Sequence, residues 1–324
     1  MPMTWWPIAK SLFTLHPGYS LRALNNKYKL TVLVVRQWPG LRAYLARLSN
    51  ALGAGGLRRL GEDCVGVVQW PYISRLWEAP VRFDVLASHY EEVARHHRQL
   101  LLLGRDERLV LFDLAAYSAG CTLVLDRPFW FMREGELVLN LFQGELRVAS
   151  LAFTLCRLEG ELCIFIGAVQ GIHKGVDSER SLEIYRVLTK DFEGLRPRSL
   201  LIEVLKCLAR HVGATRLYAV GDGYRHHRHP YFGAEKAREL PTDYDAIWRE
   251  HGATPSERED FFAMPLAVSR KPVEEIPSKK RAMYRRRHEL LEQIFARVEA
   301  ALPVNARAAT EPWQGTVQAA GPTP

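Results

Sequence analysis

The pattern of apolar and polar positions predicts a strand–helix–strand unit over residues 162–220, at the centre of the chain. Residues 162–171 (LCIFIGAVQG) are almost continuously apolar, which is typical of a strand buried on both faces. Between positions 200 and 212 the apolar residues recur on one face with a helical period. Gly213 ends this helix, and a second apolar strand follows at 216–220.

The N-terminal part of the chain has helical rather than strand periodicity. Within residues 1–60, helices are predicted near 8–15, 30–37 and 41–52, and the last of them ends at Gly53. Residues 61–80 are irregular, and a further helix is predicted at about 83–103.

The middle of the chain changes to a β pattern. Residues 107–170 contain short β-rich runs separated by glycine or charged turns, including REGE at 133–136 and LEGE at 158–161, which predict hairpin connections. This pattern predicts an antiparallel meander that leads into the central strand. A late strand (DFFAMPLAV) and a long amphipathic helix from about Ser278 complete the pattern.

Together these elements predict an α+β fold with an antiparallel or mixed central sheet and flanking helices. We expect a helical N-terminal segment (1–60), an α/β domain (61–304) with its core at about 107–270, and a long C-terminal helix. The tail at 305–324 is rich in Ala, Thr, Pro and Gly and is predicted to be disordered.

The composition indicates which classes of binding partner are favoured but does not distinguish between them. The net charge is +8 and the pI about 9.3, which favours anionic partners such as a phosphorylated cofactor, anionic lipid or nucleic acid. The five cysteines lack a C-x-x-C spacing and indicate reduced core thiols in a cytosolic protein. Since no apolar window reaches about 18–20 residues, we expect no membrane span, and a location in the cytoplasm or at the periphery of the inner membrane.

The start of the central helix is a candidate anion site. Arg196, Arg198 and Ser199 stand where a helix exposes unpaired N–H groups. The order of meander, strand, loop, helix and strand resembles the acyl-CoA N-acyltransferase fold, in which this loop holds the pyrophosphate of coenzyme A. Arg196 matches the arginine of that motif, whereas Ser199 and Leu201 replace its small residues. The alternative is that the arginines are solvated or paired with acidic residues.

That resemblance implies an acyl-CoA or acyl-carrier thioester as donor and an amine, on a small molecule or a peptide, as acceptor. The backbone of the central strand at Ile166 and Ala168 would face the acyl group. Gln170 or His227 would orient or deprotonate the amine. Tyr231 or Tyr244 would protonate the leaving thiolate.

The segment YRHHRHPY at 224–231 allows a metal-dependent alternative. His226, His227 and His229 could ligate a metal with a nearby aspartate, although the interleaved arginines oppose a cation. A basic surface loop is the favoured interpretation of this segment, so metal binding is not expected.

A basic cluster before and within the C-terminal helix suggests a third, non-enzymatic role. It could bind an anionic membrane surface or a partner, or its charges could pair with the acidic helix at 83–103. Because aromatic residues are not interleaved with it, specific nucleic-acid binding is not expected. The residues concerned are Lys279, Lys280, Arg281, Arg285, Arg286 and Arg287.

Several motifs in order resemble the VirK/YbjX family (DUF535). They are LCIFIGAVQG, GLRPRSLLIEVLKCLA, DYDAIWREHGA and KPVEEIPSKKRAMYRRRHELL, and the resemblance extends over about 60–300. It implies a bacterial cytosolic or membrane-associated protein linked to virulence, envelope stress and resistance to antimicrobial peptides. It supplies no catalytic residues.

Overall fold

The protein is described by a computed structural model in which a single mixed sheet is flanked by helices, as the α+β pattern predicts. The residues described are 5–61, 63–97, 100, 103–173, 175–233, 242–303 and 311–312. The predicted disordered tail lies outside these residues, except for the short strand at 311–312.

The N-terminal third is helical. Helix α3 is interrupted at Gly53, whose φ of 68° is left-handed, so its first part ends where the sequence predicted. The predicted helix at 83–103 is α5, which begins four residues earlier and ends at His96. The helices are α1 (Trp5–Leu15), α2 (Leu21–Arg36), α3 (Trp38–Leu60), α4 (Asp63–Gly66) and α5 (Ala79–His96).

The sheet has nine strands among the described residues, in the order β7-β8-β6-β5-β4-β3-β2-β1-β9. Of the pairings between these described strands, only that of β5 with β6 is parallel. The strands are β1 (Glu107–Asp113), β2 (Cys121–Asp126), β3 (Leu137–Gln143), β4 (Leu146–Leu158), β5 (Glu161–Gln170), β6 (Arg216–Val220), β7 (Thr254–Pro255), β8 (Phe261–Met264) and β9 (Glu311–Pro312).

Among the described residues, four α-helices follow β5: α6 (Ser178–Asp191), α7 (Pro197–His211), α8 (Tyr244–Glu250) and α9 (Ser278–Ala301). The sequence pattern missed α6, which has only one fully buried residue, Leu188, and therefore reads as a polar connection. The predicted unit of strand, helix and strand is confirmed as β5, α7 and β6, and α9 begins at Ser278 as predicted.

The core is built around the two longest strands and α7. Nearly every residue of β4 and β5 is buried, because helices α5 and α7 pack against β4 while α7 also contacts β5. Helix α9 packs on α7 and β1. All five cysteines are free thiols, four of them buried. None of the helices within the described ranges is long and apolar enough to cross a bilayer.

The two predicted hairpin connections differ. LEGE forms a tight turn between β4 and β5, with Glu159 and Gly160 at φ values of 50° and 86°. REGE lies instead at the end of a longer connection between β2 and β3, which folds back over the sheet. This connection brings Glu134 into the interior.

Candidate functional site

The parallel pairing of β5 with β6 ends in the middle of the sheet. The pairing runs from Cys163 to Ile166 on β5. On the other side of β5 the register with β4 shifts at the next residue, Gly167, which forms a bulge. A Cβ at Gly167 would lie 2.0 Å from the carbonyl oxygen of Glu134, so glycine is needed for the β2–β3 connection to approach the strand.

Helix α8 fills the space beyond the end of this pairing. The hydroxyl of Tyr244 accepts a hydrogen bond from the backbone N–H of Val169 on β5 at 3.1 Å. The indole of Trp248 donates to the carbonyl of Val220 on β6 at 2.8 Å. One short helix therefore satisfies backbone groups on both strands where they no longer satisfy each other.

A buried carboxylate lies at the end of β5. The side chain of Glu134 is 3% exposed. Its Oε2 accepts a hydrogen bond from Nε2 of Gln170 at 2.8 Å, and its Oε1 lies 3.6 Å from Nδ1 of His227. One ligand atom from each of Glu134, His226 and His227 lies within 4.8 Å of the others. The cluster thus combines an acid, an amide and two imidazoles from three parts of the chain.

The surroundings of Glu134 favour its neutral form. Burial raises the pKa of this carboxyl to about 8, although Arg225 and the hydrogen bond from Gln170 oppose that rise. Arg225 itself stacks on the ring of Tyr244 at 3.8 Å and pairs with Asp222 at 3.2 Å. The carboxyl is therefore placed to hold or release a proton near neutral pH.

An open pocket of about 520 Å³ lies at the start of α7, between α6 and α8. Three of its lining residues are arginines: Arg186, Arg196 and Arg198. Arg196 is 69% exposed and pairs with Glu250 at 3.1 Å. Arg198 is held deeper, and its buried Nε has no hydrogen-bond partner among the residues that the structure describes.

The pocket adjoins the carboxylate cluster through residues 170–172. A Cβ at Gly171 would lie 2.7 Å from Nη2 of Arg198, so this arginine reaches the residue next to Gln170. Tyr185, which lines the pocket, accepts a hydrogen bond from the backbone N–H of Ile172 at 2.7 Å. The arginine-lined pocket and the proton-carrying cluster are thus neighbours along one strand end.

The structure brings most of the predicted site residues to these two places. Gln170, His227 and Tyr244 surround Glu134 or contact its neighbours, and Arg196, Arg198 and Ser199 line the pocket. The side chains of Ile166 and Ala168 are fully buried, and neither lines the pocket. Tyr231 lies at the outer edge, where its ring faces Arg133 at 5.5 Å.

The three predicted histidines separate. Nδ1 of His229 accepts a hydrogen bond from the N–H of Tyr231 at 3.0 Å and so begins the next turn. Glu134, rather than His229, completes the group with His226 and His227. The burial of Glu134 could hardly be predicted, since this residue stands in a charged, turn-like segment and only its aromatic neighbours at 129–131 (FWF) suggest burial.

The C-terminal basic cluster is partly neutralised. Arg286 forms two hydrogen bonds to the carboxylate of Glu193 at 2.8 and 2.9 Å, and Arg287 donates to the carbonyl of the same residue. The basic cluster was predicted, as one alternative, to pair with the acidic helix at 83–103, which is α5. Its acidic partner is instead Glu193, which precedes α7. Lys279 and Lys280 are exposed.

Sequence comparison places the chain among bacterial relatives. The chain is 31% identical to Uncharacterized protein YbjX of Escherichia coli (strain K12) over 174 residues, which cover 53% of this chain and 51% of YbjX. The match thus spans about half the length of that relative. An uncharacterized protein of Haemophilus influenzae (strain ATCC 51907 / DSM 11121 / KW20 / Rd) is 31% identical over 312 residues, covering 91% of this chain and 94% of the relative.

No solved structure matches the fold. A family model described as "Protein of unknown function (DUF535)" matches residues 19–300, which include every element of the site. The chain therefore belongs to the DUF535 family, of which YbjX is a relative.

Proposed function

We propose that this protein is an N-acyltransferase that moves an acyl group from a coenzyme A or carrier-protein thioester to an amine. The observation that carries the proposal is an arginine-lined pocket at a helix start that is joined, through Gly171 and Ile172 at the end of β5, to a buried acid–imidazole cluster. The order of the sheet supports it, because β5 and β6 are parallel and α8, which lines one side of this pocket, packs where their pairing ends.

The pocket suits the phosphates of a thioester cofactor. Helix α7 has 15 residues and begins with Pro197, so the N–H groups of its first turn lack helical partners. Together with the guanidinium group of Arg198, they form a site for phosphate oxygens. A volume of about 520 Å³ is in the range of small-molecule sites. Leu182 and Ile247 line the same pocket and offer apolar contacts.

The transfer step conserves every atom. The amine nitrogen attacks the thioester carbonyl carbon, an N–C bond forms, and the amine gives up one proton. The C–S bond then breaks, and the departing thiolate takes up one proton. The products are an amide and a free thiol.

We assign to His227 the role of the base that accepts the proton from the amine, because its side chain is more exposed than that of Glu134. Glu134 stands behind the imidazole at 3.6 Å, and in its ionised form it would stabilise the imidazolium. Gln170 fixes the carboxyl by its hydrogen bond. Tyr244 is less suited to give the thiolate its proton, because burial raises the pKa of its phenol although Arg225 lowers it. Tyr231, at the outer edge, or water supplies that proton.

Isothermal titration with acetyl-, octanoyl- and palmitoyl-coenzyme A tests the donor site. Arg198→Ala is the informative variant, since Arg196 already pairs with Glu250. Loss of one charge-assisted contact, worth about 1.5–3 kcal/mol, should weaken binding by roughly ten- to 100-fold. Arg180→Ala on α6 is the matched control, because Arg180 is exposed and does not line the pocket. Absence of heat with every thioester would rule the proposal out.

A second candidate is a metal-dependent enzyme, favoured by the convergence of Glu134, His226 and His227. Carboxylate oxygen and imidazole nitrogen are ligands that zinc accepts, and three such ligands leave a position for water. Elemental analysis of the purified protein and a zinc titration with a competing chelator decide between the two. Stoichiometric zinc lost in His226→Ala but kept in His229→Ala would favour the metal enzyme.

A further inference from the structure

The first 61 residues contain no aspartate or glutamate. The same stretch carries nine basic residues: Lys10, Arg22, Lys27, Lys29, Arg36, Arg42, Arg47, Arg58 and Arg59. More than the whole net charge of the protein, which is +8, therefore lies in its N-terminal helical segment. A segment of one sign produces a field that favours an extended anionic partner.

Helix α2 has an apolar stripe on its outer face as well as its inner one. Its inner face buries Ala23, Leu30 and Val34. The outer stripe has the spacing of one helix face, three, four and seven residues apart, and it is left in solvent. Its members are Leu21 (88% exposed), Leu24 (47%), Tyr28 (68%) and Val35 (62%).

Two aromatic rings, in the last turns of α1 and in the connection to α2, add to the exposed apolar surface. Phe13 and Tyr19 are both exposed. The ammonium group of Lys27 lies 4.7 Å from the ring of Phe13 and 4.8 Å from that of Tyr19. Cations beside exposed aromatic and aliphatic side chains suit the boundary between lipid headgroups and acyl chains.

We propose that this surface, the α1–α2 face, docks on an anionic lipid bilayer. It consists of the apolar residues just named together with Arg22, Lys29 and Arg36. These three charges are exposed and form no ion pair with any residue that the structure describes. They flank the apolar stripe, so headgroup phosphates would meet the charges while Leu21, Leu24 and Tyr28 enter the interface.

A second copy of the chain fits this face less well than a bilayer does. Two α1–α2 faces brought together would place like charges opposite one another, with no acid in either segment to separate them. The C-terminal basic cluster is the weaker membrane candidate, because Arg286 and Arg287 are engaged with Glu193. Its helix also carries acids, at Glu289, Glu292 and Glu299.

Vesicle co-sedimentation tests the proposal with the full chain. The vesicles contain either phosphatidylcholine alone or a 1:1 mixture with phosphatidylglycerol, each at low and high salt. One variant combines Arg22→Gln, Lys29→Gln and Arg36→Gln, and a second combines Leu24→Ser with Tyr28→Ser. The matched control removes three exposed charges from α9 by Lys279→Gln, Lys280→Gln and Arg285→Gln.

The wild type should bind the anionic vesicles, and high salt should release it. Three basic contacts removed from the surface should lower the partition coefficient on the order of 100-fold. The second variant should also bind more weakly, whereas the α9 control should bind like the wild type.

Three results would overturn the proposal. The wild type could bind neutral and anionic vesicles equally, it could bind neither, or binding could be lost only in the α9 control variant. Binding of the wild type to neutral and anionic vesicles tests the proposal even if a variant does not fold. A circular-dichroism melting curve like that of the wild type shows that a variant is folded.

Discussion

Gln170 at the end of β5 donates a hydrogen bond to the buried carboxyl of Glu134, 36 residues earlier in the chain, at 2.8 Å. The contact exists because the β2–β3 connection closes onto the bulge at Gly167. It joins the central strand to an acid that the hydrophobic pattern alone does not place in the site. The same strand end leads, through Gly171, to the arginine-lined pocket.

Replacing Gly167 by alanine should displace this acid. The new Cβ would meet the carbonyl oxygen of Glu134 at 2.0 Å, and a backbone atom cannot be rotated away. We expect a loss of about 1–3 kcal/mol in the free energy of unfolding, measured by urea denaturation. Gly223→Ala is the control, because no atom of the residues that the structure describes lies within 4 Å of a Cβ at that position. Equal stability of the two variants would contradict the close approach.

The hydroxyl of Tyr244 should stabilise the end of the parallel pairing. Tyr244→Phe keeps the ring on which Arg225 stacks but leaves the N–H of Val169 without its acceptor. An unsatisfied buried donor costs about 1–3 kcal/mol, which thermal or urea unfolding would detect. Tyr231→Phe, at the exposed edge, should change stability by less than about 0.5 kcal/mol. If neither substitution changes the free energy of unfolding, the hydrogen bond from Val169 to α8 does not stabilise the fold.

Stability should depend on pH through His89. This buried imidazole accepts a hydrogen bond from the N–H of Leu155 at 3.2 Å, and burial lowers its pKa to about 3. The unfolded chain binds the proton below about pH 6.5 while the folded chain does not, so the stabilisation is complete above that pH and is lost as the pH falls toward 3.

His89→Gln should therefore flatten the fall in unfolding free energy between pH 6.5 and 4. The difference from wild type should amount to as much as about 1.4 kcal/mol per pH unit. Exposed His173→Gln provides the comparison. If the unfolding free energies of wild type and His89→Gln fall equally with decreasing pH, this histidine is not held neutral in the folded protein.

The sequence was sufficient for the parts of the fold that are locally periodic. The apolar run of β5, the single face of α7 and the stop at Gly213 all appear where the pattern predicts them. Helix α6 escaped detection because it rests on the surface and buries little more than Leu188. An amphipathic signal needs a buried face, and α6 has almost none.

The candidate site was only partly predictable, for a different reason. Gln170 ends β5 and His227 follows β6, at strand ends where sites gather, and the acyltransferase resemblance singled out both residues. The burial of Glu134 depends on a glycine in another strand, a long-range fit that no local pattern records. The outer stripe of α2 was missed because the helix was predicted to begin only at residue 30, whereas α2 begins at Leu21 and most of the stripe precedes residue 30.

The most direct test of the proposed function is single-turnover transfer from radiolabelled acetyl-coenzyme A to an amine acceptor such as spermidine or a lysine-containing peptide. Wild type, Glu134→Gln and Arg198→Ala are compared at concentrations where binding is known from calorimetry. We predict labelled amide from the wild type, the same binding but about 100-fold slower transfer with Glu134→Gln, and weakened binding with Arg198→Ala. Tight binding of the thioester with no transfer by the wild type, or transfer unaffected by Glu134→Gln, would contradict the account.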